Sequence, residues 1–101
     1  MQKDVTISWS TFDHGSKLTE AAACQLTTSS VKCERGVTVK ASASNSGIVY
    51  VGNSDVTKGT TNSTDGYELS AGNSIFIEVN NVNKVYIIGT DVNHRVSWIA
   101  V

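Results

Sequence analysis

The aliphatic side chains of this chain are almost all branched at Cβ: 13 Val and 7 Ile stand against 3 Leu. A branched Cβ is stiff in a helix but packs well on a pleated surface, so this bias favours strands. The unbranched side chains that fill helices are thin, and Pro is absent. Ser, Thr and Asn supply 32 of the 101 residues, which is abundant material for turns. A helical bundle or coiled coil is excluded, and an α/β nucleotide-binding fold is disfavoured. The length predicts one domain, residues 1–101, with no linker or tail.

Alternation along the chain supports this. Asp4–Ser10 places Val5, Ile7 and Trp9 on one face, and Val37, Val39 and Ala41 share a face further on. Ile48-Val49-Tyr50-Val51 is apolar at both parities and predicts a strand buried on both sides. Tyr67–Leu69, Ser74–Val79, Lys84–Gly89 and Arg95–Val101 follow, separated by Gly, Asn, Asp and Ser turns. Thr19–Ala23 fits a single helical turn or an irregular strand equally well. The predicted fold is all-β: an antiparallel β-sandwich, jelly-roll or Ig-like, of about seven to eight short strands. In the last segment Val96, Trp98 and Ala100 face one way while Ile99 and Val101 face the other. Both faces want shelter, so this strand is either central in the core or covered by another chain.

The formal net charge is −1 and the basic residues are scattered, which argues against a nucleic-acid partner. No apolar run reaches the ~18–20 residues of a membrane span. The N-terminus lacks an apolar leader, so no secretion signal is expected; free thiols are the default for Cys24 and Cys33, with a disulfide across a hairpin as the alternative. His14 and His94 read as exposed turn residues, and no third ligand stands at metal spacing. No catalytic constellation, cofactor motif or metal site emerges, and the chain is expected not to be an enzyme. Trp9 and Phe12 flank the exit from the first expected strand and are candidate partner anchors.

From Gly36 onward the chain resembles a small virion-associated domain of tailed bacteriophages. The resemblance is carried by Gly36-Val37-Thr38-Val39-Lys40-Ala41 and Asn45-Ser46-Gly47-Ile48-Val49-Tyr50-Val51-Gly52. It continues through Asp65-Gly66-Tyr67-Glu68-Leu69-Ser70-Ala71-Gly72-Asn73-Ser74, Lys84-Val85-Tyr86-Ile87-Ile88-Gly89 and Val96-Ser97-Trp98-Ile99-Ala100. It implies a capsid decoration (cement) protein that binds the outer capsid surface and stabilises the head. The implied partner is the major capsid protein lattice and the implied location the virion, assembled in host cytoplasm. A homo-oligomer, trimer or dimer, would match local capsid axes. The alternative is a carbohydrate-binding adhesion module of a phage tail or head fibre. Candidate interface residues are Trp9, Phe12, Tyr67, Trp98, Ile99 and Val101.

Overall fold

The computed structural model describes residues 12–59 and 63–101. The expected strand Asp4–Ser10, including Trp9, lies outside the described residues. Eight strands are described: β1 (Asp13–Leu18), β2 (Cys24–Gln25), β3 (Val37–Ala41), β4 (Val49–Gly52), β5 (Tyr67–Leu69), β6 (Ser74–Ile77), β7 (Tyr86–Gly89) and β8 (Arg95–Ala100). A 3-10 turn at Val82–Lys84 precedes β7. The strands form two four-stranded sheets, ordered β1-β8-β3-β6 and β2-β7-β4-β5. Every pairing is antiparallel and the pairs are nested: β4 with β5, β3 with β6, β2 with β7, β1 with β8. A long hairpin rolled up in this way is a jelly roll, so of the two expected sandwich types the jelly roll is the one adopted.

The inner faces form the core. Val37, Val39 and Ala41 of β3 and Val96, Trp98 and Ala100 of β8 meet Val49, Val51, Leu69 and Ile87 from the opposite sheet. Each fully buried aliphatic side chain contributes about 1.5–3 kcal/mol relative to exposure. The indole of Trp98 extends under β1, where a Cβ on Gly15 would lie 2.6 Å from the ring. Glycine is therefore required at that point of β1. The Trp98 Nε1 is buried without a hydrogen-bond partner.

A second, smaller cluster lies outside the β2-β7-β4-β5 sheet. Tyr50 and Ile88 are cross-strand neighbours there, packed with Val56. Val56 belongs to the long connection between β4 and β5. The Asp65 carboxylate pins that connection by accepting from Thr57 Oγ1 (2.7 Å) and from the Gly59 N–H (3.0 Å). Val49, Tyr50 and Val51 are consequently all buried, as the apolar run predicts.

Thr19–Ala23 is neither helix nor strand but an irregular crossing between the sheets. Tertiary bonds hold it: Thr19 Oγ1 donates to the Asp91 carbonyl (2.8 Å) and accepts from the His94 N–H (3.0 Å). His94 is accordingly buried, which corrects the expectation of an exposed turn histidine. His14, on β1, is exposed.

Candidate docking surface

Register decides which residues the β1-β8-β3-β6 sheet presents outward. His14 faces Ile99, Ile99 faces Thr38, and Thr38 faces Phe76, giving one row across all four strands. On one side of it, Ser16, Ser97, Lys40 and Ser74 form a polar row. On the other, Val101 extends the β8 ladder. Its N–H donates to the Gly36 carbonyl (3.0 Å), and the Gly36 N–H donates to the Val101 carbonyl (3.2 Å). A Cβ on Gly36 would lie 2.1 Å from the Ile77 carbonyl and 2.9 Å from the Phe76 ring. Glycine at this place leaves room for the Ile77 carbonyl and the Phe76 ring. Exposure is 47% for Phe76, 41% for Ile99 and 44% for Val101, with Phe12 at 60% one residue before β1. Scattered exposed apolar residues are ordinary, whereas a run of them along one face marks an interaction surface.

This face leads to the end of the sandwich where residues 26–36 meet residues 78–85. A cleft of about 950 Å³ opens there, with Phe12, Ala100 and Val101 on its apolar side. Lys32, Arg35 and Lys84 line it together with Asp13, Glu34, Asn80, Asn81 and Asn83. A second hollow shares Glu34, Arg35, Asn80 and Lys84 with it and reaches Phe76 and Glu78.

Asn81 fixes the walls. Its side-chain oxygen accepts from the N–H groups of Val31 and Asn83, both at 3.1 Å, and its Nδ2 donates to Ser30 Oγ at 2.9 Å. The first two bonds clasp residues 26–36 and cap the 3-10 turn that carries Lys84. Main-chain bonds from Cys33 to Asn80 and from Val82 to Val31 reinforce the clasp. Behind it the buried Cys33 thiol donates to the Val79 carbonyl at 3.1 Å, and burial pushes its pKa up. Burial also raises Cys24, although nearby Lys17 opposes the shift. Both cysteines are free.

Three of the candidate interface residues, Phe12, Ile99 and Val101, converge on this face and its end. Tyr67 stands on the other sheet, 61% exposed at the start of β5. Trp98 belongs to the core instead of the surface, because its parity puts it with Val96 and Ala100. Trp9 lies outside the described residues. Phe76 was not among the candidates, although the inward parity of Ile75 and Ile77 requires it to face out. Among the described residues no group of three or more His, Cys, Asp or Glu side chains is placed to hold a metal ion. No protein-family model, no curated protein and no solved structure matches the chain.

Proposed function

We propose that this chain is a structural protein that docks on a protein surface through the outer face of its β1-β8-β3-β6 sheet. The setting follows the resemblance: a decoration protein seated on a capsid lattice and stabilising the head. One observation carries the proposal: Phe12, Val101, Ile99 and Phe76 are all exposed on or beside one sheet face, with Thr38 between Ile99 and Phe76. Exposed apolar side chains interspersed with His14 and Thr38 and flanked on one side by Ser16, Ser97, Lys40 and Ser74 fit the mixed composition of a docking patch. Many copies on a symmetric lattice turn a modest interface into a large total stabilisation.

The test is co-sedimentation of the purified chain with expanded capsids of the cognate phage, followed by heat release of DNA. The chain should pellet with capsids and delay release, and Ile99→Asp and Phe76→Asp should abolish both effects. Failure to pellet, or equal pelleting by the two variants, overturns the proposal. The exposed ring of Tyr67 supports a second reading, a stacking platform for a sugar. Glycan-array binding lost in Tyr67→Ala, with no capsid binding, would replace the first reading by the second.

A further inference from the structure

We infer that this chain pairs with a second copy of itself through the outer edge of β6, the two strands running antiparallel about a two-fold axis at Phe76. This contact lies beside the docking face and does not depend on it.

Hydrogen-bond parity decides which side of β6 the chain itself uses. Gly36 and Val101 exchange both main-chain bonds, and the Ser42 N–H donates to the Arg95 carbonyl (3.0 Å). The even-numbered residues of β3 therefore turn their main-chain groups toward β8. The odd-numbered ones turn toward β6, and the Ala41 N–H accordingly donates to the Asn73 carbonyl (2.9 Å). Val37 and Val39 thus bond Ile77 and Ile75, while the N–H and C=O of Ser74 and Phe76 point away from β3. Among the described strands, β6 ends the sheet on that side.

The side chains of this edge are incompletely covered as well. Ile75, Ile77 and Val79 face inward yet stay half-buried, whereas Val37, Val39 and Val96 on the inner strands are fully buried. Sheet edges are ordinarily defended by charge, Pro or brevity. β1 carries the inward Lys17, β5 has three residues with Glu68 at its centre, and β2 has two residues. The run Ser74-Ile75-Phe76-Ile77 has neither charge nor Pro.

With Phe76 opposite Phe76, the strand is its own complement. The two Phe76 main chains exchange both bonds at the axis, and their rings meet as a cross-strand aromatic pair. Ile75 falls opposite the second copy's Ile77, so each inner apolar row continues into the other. Glu78 keeps the exposed parity of Ser74 and Phe76 and falls opposite the second copy's Ser74. Lys40, also exposed, stands beside Ser74 on β3. Glu78 of one copy and Lys40 of the other are then two strand spacings apart, about 10 Å between backbones, a gap their side chains can span. The axis makes that opposite-charge contact twice, and it is perpendicular to the sheet, so both docking faces look the same way. An isologous contact of this kind closes at two copies.

The experiment is sedimentation velocity of the full chain over a concentration series up to about 1 mM, the range of a weak contact. Amide hydrogen exchange is followed at both ends of the series. The sedimentation coefficient should rise toward that of a dimer. The Ile75 and Ile77 amides should exchange slowly throughout, and the Phe76 amide should slow only as dimer forms. Phe76→Pro removes a donor that the β3–β6 ladder does not use, a change that an edge strand tolerates, and should abolish the dimer. Lys40→Glu and Glu78→Lys should each weaken it about tenfold through like-charge contacts, and the double variant should restore it. Thermal melts verify that the variants are folded.

A monomer throughout the series overturns the inference, as does a dimer that survives Phe76→Pro, a double variant that does not recover, or open-ended growth. A Phe76 amide protected at every concentration in a monomer also overturns it, since the chain's own residues 1–11 would then cover the edge. Ile99→Asp separates pairing from docking, because it should abolish capsid binding and leave the dimer intact. A monomeric wild type that still binds capsids leaves docking standing alone, and a dimer that binds none leaves pairing standing alone.

Discussion

The two sheets of this sandwich treat their outer faces differently. On the β2-β7-β4-β5 sheet, Tyr50 and Ile88 point outward and are sealed by Val56 from the chain's own β4–β5 connection. On the β1-β8-β3-β6 sheet, Ile99 and Phe76 also point outward but stay substantially exposed. Strands with apolar residues at both parities thus meet two fates. One pair is completed within the chain, and the other is left for a partner. Truncation tests this contrast directly. Tyr50→Ala and Ile88→Ala should destabilise the isolated protein by roughly 2–5 kcal/mol in urea unfolding, the range for emptied core sites. Phe76→Ala and Ile99→Ala should stay within about 1 kcal/mol, as substitutions at partly exposed sites do. Equal losses on the two faces would mean that the open face is already part of the core.

A smaller effect tests the clasp at the docking end. Asn81→Ala removes three side-chain hydrogen bonds and leaves the Val31 N–H without its partner. The expected loss is about 1–3 kcal/mol of stability, since a part-buried donor is stranded. Urea unfolding measures the loss, and an unchanged midpoint would show that the clasp contributes nothing to folding.

Alkaline pH should act on both halves of the molecule. Burial raises the pKa of Cys33, Cys24 and Tyr50 in the folded state. In the unfolded chain these groups lose their protons at ordinary values, about 8.5 for Cys and 10 for Tyr. Between the unfolded and folded pKa the folded state therefore holds more protons, and stability falls as pH rises. The midpoint of urea unfolding should be level below about pH 8 and decline above it. Cys33→Ala should flatten the early part of that decline. A level profile to pH 10 in the wild type would contradict the raised thiol pKa of Cys33 and Cys24.

The fold was legible where the chain alternates and illegible where it does not. Val37–Ala41 and Arg95–Ala100 announce themselves because apolar side chains point inward at every second position. β1 does not, because the positions that face Trp98 and Val96 are Gly15 and Lys17. Among the described strands β1 stands at an edge, which tolerates that, and an inward-pointing Lys discourages pairing with another edge. β2 spans only Cys24–Gln25, too short for any periodic signal. The choice of jelly roll over the Ig-like alternative depends on which distant strands pair, which local pattern does not encode. Parity likewise separates Ile99 and Val101 from Trp98, but the convergence of Lys32, Arg35 and Lys84 exists only after the loops at that end are joined.

The smallest expected change in stability falls on the last residue. Val101 holds its place through backbone bonds to Gly36, and its side chain is largely outward. An Asp there keeps those backbone bonds and stays hydrated, so the isolated protein should lose no more than about 0.5 kcal/mol. In a docked complex the same carboxylate would be stripped of water at the interface. Burial of an unpaired charge is costly, so capsid binding should drop about tenfold or more. Val101→Asp thus separates the two faces most sharply, because folding should barely register a change that docking cannot tolerate. If Val101→Asp docks like wild type, the end of β8 is not covered by a partner.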